Sequence, residues 1–236
     1  MQLTYLFHSG FVFETDRCIL VFDYWMDPAG AMSRYLESSK PLYVFSSHFH
    51  EDHFNREIFA WRTRKANVCY ILSKDILKHR RAGKEEADAW LGKGAVWEDE
   101  HLRVTATGSN DSGVSWVVET GGMCLFHAGD LNNWHWADES TPQEIKKREG
   151  DFLAILNDIL KECTAFDLVM FPVDPRLGSD FARGARQWLQ YIPTRYFAPM
   201  HFPPARERAM TFGPEAERMQ TRFLYIQEEG EAIARF

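Results

Sequence analysis

The amino-acid sequence predicts an α/β fold in one four-layered domain, residues 1–236, with two β-sheets packed together and helices outside them. Strand-like segments fall into two runs, each followed by helical segments, and two sheets covered by helices satisfy that order. The strand Leu42–Phe45 is apolar without alternation, as expected of a strand buried on both faces. Apolar residues make up 45% and charged residues 26% of the chain, a globular composition rather than a disordered or coiled-coil one. At roughly 150 residues per domain the length fits one large domain or two small ones. No repeat, low-complexity tract or flexible linker divides it.

In chain order, Tyr5–Glu14 and Cys18–Phe22 read as paired strands turning over Thr15-Asp16-Arg17, and Leu42–Phe45 is the third strand. Asn55–Lys65 sets Ile58, Phe59 and Trp61 among charges, the pattern of a surface helix. Val68–Leu72 is a strand, and Ser73 is a fitting N-cap for a helix through Asp75-Ile76-Leu77. Leu102–Thr107, Gly113–Glu119 and Met123–His127 are strands. Ser140–Cys163 is a helix, with Pro142 near its start and Phe152, Ile155, Leu156, Ile159 and Leu160 at three- and four-residue spacing. Leu168–Val173 is a buried strand, Phe181–Leu189 a helix and Arg195–Pro199 a strand. Phe223–Ile226 and Ala232–Phe236 are expected to close the fold as a hairpin over Glu228-Glu229-Gly230.

The net charge of -7 argues against a partner that is a long polyanion such as nucleic acid, while leaving small anionic substrates open. No unbroken apolar stretch is longer than that of Cys18–Phe22, which is far short of the roughly 20 residues that span a bilayer. Met1–Tyr5 carries no basic segment leading into an apolar one, so no secretory signal is visible. Cys18, Cys69, Cys124 and Cys163 are far apart, which disfavours a disulfide framework or cysteine zinc knot and makes a reducing cytoplasm the default.

The chemistry is concentrated in Ser47-His48-Phe49-His50-Glu51-Asp52-His53, in the loop between a buried strand and a helix. His48 and His50, two apart on an extended segment, point to one side. Three of the chain's nine histidines and a carboxylate within six positions offer nitrogen and oxygen ligands in the mixture that suits zinc. A solvated polar loop is the competing reading, and it explains such crowding poorly.

These residues match the H-x-H-x-D-H signature, and the chain resembles the metallo-β-lactamase superfamily. The resemblance implies an αββα sandwich of two mixed sheets and a site for two metal ions, zinc in the first instance. It implies His48 and His50 as ligands of one ion and Asp52 and His53 of the other. Asp23, ending a strand, matches the acidic residue that supports the site, with Asp27 of Asp27-Pro28 as the competing choice. His127-Ala128-Gly129-Asp130 resembles the family's Gly-Asp element, which makes Asp130 the bridging carboxylate and leaves His127 beside it. His201, after the strand Arg195–Ala198, matches the last ligand.

One landmark is missing. Where the family places a further histidine, the sequence reads Thr107-Gly108-Ser109-Asn110-Asp111-Ser112-Gly113, and neither His79 nor His101 matches. Asn110 or Asp111 would have to substitute through oxygen, or a water would fill the position, and manganese or iron gain plausibility. The opening His8-Ser9-Gly10-Phe11-Val12-Phe13-Glu14 resembles the branch containing L-ascorbate-6-phosphate lactonase and N-acyl-phosphatidylethanolamine phospholipases D. His8 is then a supporting or substrate-side residue, or merely an edge-strand histidine. Asp174 and Arg176 orient ligands or bind an anion, or form a plain Asp-Pro turn.

The implied function is a metal-dependent hydrolase acting on an ester, lactone or phosphodiester of a small molecule. A metal-bound water, with its pKa lowered to about 7, would be the nucleophile, and Asp52 would orient it. No G-x-S-x-G elbow or glycine-rich phosphate loop offers another route. Tyr24, Trp25, Met26, Trp134 and Trp136 either rim the pocket, favouring an apolar or ring-bearing substrate, or anchor loops to the core. The alternative is a metal-binding relative without turnover, silenced or serving sensing or redox chemistry.

Overall fold

The computed structural model describes residues 1–236. Six strands open the chain: β1 (Gln2–Tyr5), β2 (Phe11–Glu14), β3 (Ile19–Phe22), β4 (Leu42–Ser46), β5 (Val68–Ser73) and β6 (Ala89–Leu91). They form the first sheet in sequence order, β1 to β3 antiparallel and β3 to β6 parallel. The second sheet takes β7 (Val96–Glu98), β8 (Leu102–Gly108), β9 (Val114–Thr120), β10 (Met123–His127), β11 (Phe166–Pro172), β12 (Thr194–Met200) and β13 (Arg222–Phe223). It is antiparallel from β7 to β10 and parallel from β10 to β13. A last strand, β14 (Ala232–Arg235), returns to the first sheet beside β1.

The sheets face one another. Leu20, Phe22 and Phe45 of the first sheet share one buried cluster with Val104, Trp116 and Phe126 of the second, and the Phe45 and Trp116 rings lie 5.7 Å apart across the gap. The alternate residues Ile19, Val21 and Val44 turn outward, as period-two strands require, and pack with Tyr35, Leu36 and Trp61 beneath α1 (Met32–Glu37) and the 3₁₀ segment Arg56–Thr63. On the far side, α3 (Pro142–Glu162) and α4 (Arg183–Tyr191) cover the second sheet, where Trp188 stacks on Phe126 at 4.4 Å. α2 (Lys74–Lys78), α5 (Arg206–Met210) and α6 (Gly213–Arg218) are short. The expected α/β architecture of two mixed sheets with helices outside is the observed one. No helix is long and apolar enough to cross a membrane.

Three local expectations need correction. Tyr5–Glu14 is two strands, because the chain reverses over Leu6–Gly10, closed by Gly10 N–H to the Phe7 carbonyl at 2.7 Å and by the left-handed backbone of His8 (φ 56°). The surface helix expected over Asn55–Lys65 is shorter, a 3₁₀ helix over Arg56–Thr63, with the Asn55 side chain capping Glu57 N–H. The tail is not a hairpin: β13 runs parallel to β12 in one sheet and β14 antiparallel to β1 in the other. Each of those strands otherwise presents an unpaired edge, and covering both outweighs local pairing. The long helix follows expectation, from a Thr141–Glu144 capping box with Pro142 in its first turn to Glu162.

Candidate metal centre

Parallel strands put their carboxyl ends at one edge, which is where ligands bind in sheets of this kind. Asp23 follows β3, His48 to His53 follow β4, Asp130 follows β10, Asp174 follows β11 and His201 follows β12. The β1–β2 turn brings His8 to the same edge. His8, Asp23 and His201 all adopt positive φ (56°, 43° and 62°), a conformation non-glycine residues hold only when the surroundings impose it. Gly129 (φ 54°) is needed for close approach: a Cβ there would lie 2.7 Å from Ser47 Cβ and 3.0 Å from the Val114 carbonyl.

Two sets of donor atoms converge. His48, His50 and Asp130 form one, and His8, Asp52, His53 and His201 the other, each with its atoms within 4.8 Å of one another. Asp130 faces both. Its Oδ2 lies 3.2 Å from His48 Nε2, while its Oδ1 lies 3.0 Å from His53 Nε2 and 3.4 Å from His201 Nε2. His48 Nε2 and His50 Nδ1 are 3.0 Å apart. Donors around a tetrahedral zinc with bonds near 2.0–2.1 Å sit about 3.4 Å from each other, and these separations, from 3.0 to 3.4 Å, lie at or just inside that spacing. His8 Nε2, His53 Nε2 and Asp130 Oδ1 are buried without a hydrogen-bond partner, and each belongs to the second set or faces it. Buried polar atoms are normally satisfied, so the donor arrangement fits a divalent cation.

The rings are held from behind. Asp23 is wholly buried and accepts from Ser47 N–H at 2.7 Å, Ser47 Oγ–H at 2.6 Å and His53 Nδ1–H at 2.7 Å. That last bond holds the ring so that Nε2 is turned toward Asp130. Asp174 does the same for His201, accepting from Nδ1–H at 2.9 Å, and also takes the Arg176 guanidinium on both oxygens. Burial pushes the Asp174 carboxyl up, but His201 and Arg176 outweigh it and bring it down to about 2. Burial lowers the His8 imidazole to about 4, with Asp52 only partly opposing, so it is neutral at pH 7. Burial also disfavours charge on His53, yet Asp130 and Asp23 raise it well above the ordinary histidine value.

The other sequence candidates occupy distinct places. Asp27 caps α1, accepting from Ala31 and Met32 N–H at 2.8 Å each, and stands apart from the donors. His127 lies behind Asp23, stacked on Phe22 at 5.2 Å and donating from Nε2 to the Ser9 carbonyl at 2.9 Å. Asn110 is committed elsewhere, its amide clamping the Asn132 backbone through a donated bond of 2.7 Å and an accepted one of 3.3 Å. Asp111 lines the opening, where burial and the nearby Asp130 raise its carboxyl pKa.

That opening is a cleft of about 510 Å³ bounded by His50, Asp52, Asp111, Asp130 and His201 at its floor and by α3 along one wall. Lys147, Arg148 and Asp151 on α3 face into it with Arg176, and only Trp134 and Trp136 among its lining residues are apolar. The α3 residues escaped the sequence reading, because a charged helix face reads as solvated surface until its neighbours are known; the run Lys146-Lys147-Arg148 is the one visible sign. The aromatic-mouth expectation divides. Trp134 packs edge-on to His201 at 5.6 Å, whereas Tyr24 anchors to Trp61 and Trp25 to Phe7 and His8, and the cleft is mostly polar.

The profile of a family described as a beta-lactamase superfamily domain matches residues 2–147. The chain belongs to that superfamily. Its place is among the superfamily's metal-dependent hydrolases, the group to which its matched relatives are assigned. A protein of Symbiobacterium thermophilum named UPF0173 metal-dependent hydrolase is 25% identical over 212 residues, 86% of this chain and 84% of that one. A second UPF0173 metal-dependent hydrolase, of Pyrobaculum neutrophilum, is 23% identical over 250 residues, 99% of each chain. Among solved structures, Igni18, a metallo hydrolase of Ignicoccus hospitalis, shares the fold at a TM-score of 0.66 with 17% identity, covering 100% of this chain and 98% of that one.

Proposed function

We propose that the chain cleaves an ester, lactone or phosphodiester of a small molecule carrying an anionic group, at a two-metal site held by His48, His50 and Asp130 on one side and Asp52, His53, Asp130 and His201 on the other. The observation that carries this is Asp130, whose two carboxylate oxygens each face a different donor set. Zinc suits the imidazole-rich donors, and manganese or iron would be tolerated by their carboxylates. A bound divalent cation supplies Lewis acidity and lowers the pKa of a coordinated water to about 7.

The protein's own groups then have defined tasks. Asp52, ionised and open to the cleft, accepts a hydrogen bond from the attacking water and orients it. Arg176, Lys147 and Arg148 offer cations to the substrate's anionic end, and Trp134 and Trp136 form its one apolar wall. The likeness of His8–Glu14 to the branch of L-ascorbate-6-phosphate lactonase and the phospholipases D supports a phosphorylated or lactone substrate. The absence of any paired-cysteine motif in the sequence supports the cytoplasm as its setting, although the fold, against the expectation of well-separated cysteines, brings the Cys124 and Cys163 Sγ atoms within 2.8 Å of one another.

One observation favours a second reading, a metal-binding relative without turnover: Gly108–Ser112 brings no histidine to the first donor set. Elemental analysis of protein purified without chelator or added metal, followed by assays on bis(p-nitrophenyl) phosphate, p-nitrophenyl acetate and a simple lactone, separates the two. About two equivalents with turnover supports the hydrolase. Two equivalents with no hydrolysis of any of the three would favour the silent relative, and no bound metal would overturn both.

A further inference from the structure

His8 departs from the place the sequence assigned to it. Its Nε2 lies 3.3 Å from Asp52 Oδ2 but makes no hydrogen bond, and it is buried. Its ring centroid is 4.2 Å from that of His201 and 5.4 Å from that of His53. The backbone that delivers it is left-handed, and a carbonyl-to-amide hydrogen bond ties the same residue to His201. Merely filling space would not require an unpaired nitrogen pointed at three donors from two other loops.

We infer that His8 is a metal ligand, its Nε2 completing a site with Asp52, His53 and His201 while Asp130 is shared with the His48 and His50 site. This rests on the metal-hydrolase reading above and refines it. The consequence is asymmetry. The His8 site holds three imidazoles and a carboxylate, whereas the other holds two imidazoles with the shared Asp130; each set has one half-buried member, Asp52 in the first and His50 in the second. With one imidazole more, the His8 site fills first, and the ion held by His48 and His50 is the one that exchanges more readily. A ligand missing from one site is balanced by a ligand gained at its neighbour.

The test counts imidazoles. Chelator-stripped full-length protein is reloaded with one equivalent of zinc and examined by X-ray absorption, where imidazole outer-shell scattering reports the number of coordinating histidines. Three are expected, because without His8 either site has two. His8→Asn keeps a residue tolerant of positive φ and should lower the count to two and weaken the first zinc by about 100-fold or more, read by competition with a chromophoric chelator. The His48→Ala/His50→Ala chain should still show three. A count of two in the wild-type protein overturns the inference while leaving the hydrolase reading intact, as does weaker binding by His8→Asn with no change in count. A wild-type chain that takes up no zinc overturns both.

Discussion

The backbone N–H of His201 donates to the carbonyl of His8 at 3.2 Å. Both residues hold left-handed backbones, and their rings meet 4.2 Å apart. The β1–β2 turn of the first sheet and the loop after β12 of the second are thus latched to one another at the donor cluster. The centre sits on the seam between the sheets, and small changes in loop geometry there are expected to appear first as changes in metal affinity.

The bond from His201 to Asp174 tests that expectation from the other side of the ring. Asp174→Asn keeps the volume but removes the charge that orients His201 and pairs with Arg176. Zinc affinity should fall about 10- to 100-fold, the usual cost of losing a carboxylate behind a ligating histidine. Isothermal titration of the stripped protein measures it, and unchanged affinity would show that His201 needs no such support.

Asp130→Ala should remove more than one ligand's worth of binding, since the same carboxylate faces both donor sets. Metal content should drop at both sites together, with loss of hydrolysis. Retention of one full equivalent by that variant would mean the sites do not share it.

Two glycines give opposite expectations for stability. Gly129→Ala would force a Cβ against Ser47 at a positive φ, and destabilisation of about 1–3 kcal/mol is expected in urea unfolding. Gly150 lies within α3 with nothing near its missing Cβ, so Gly150→Ala should stabilise by about 0.5–1 kcal/mol. Equal effects of the two changes would contradict the packing described.

Alkaline stability should depend on Tyr70. Burial pushes its phenol up to about 12, and its hydroxyl donates to the Ile58 carbonyl. An unfolded tyrosine titrates near 10, so the folded state holds its proton more tightly. That contribution is fully present below pH 10 and declines as pH rises from about 10 to 12. Tyr70→Phe should therefore show a flatter stability curve over that interval, measured by denaturant midpoints at successive pH values. A curve parallel to wild type would place Tyr70 in contact with solvent.

Much of the centre was legible because its signals are local. Three histidines and an aspartate in six residues name a donor set whatever surrounds them, and Gly129-Asp130 and His201 each announce themselves at a strand end. The choice between Asp23 and Asp27 was not local. Both follow β3, and only the packing of Ser47 and His53 onto one of them separates buried support from helix cap. Asn110 was plausible as a substitute ligand until its amide was seen to be occupied by the Asn132 backbone.

By itself, then, the sequence determined the two-sheet class, most of the central strands and the long helix, and it singled out candidate donors, because hydrophobic period, capping and clustered ligand types are properties of short segments. Tertiary structure alone decided what depends on partners far apart in the chain. It split the tail between two sheets, brought Lys147, Arg148 and Asp151 to the cleft wall, and moved His8 from an edge into the donor cluster. The physical reason is common to all three. Exposed edges must be covered, charged faces take their role from what they oppose, and a nitrogen becomes a ligand only where other donors converge on the same point.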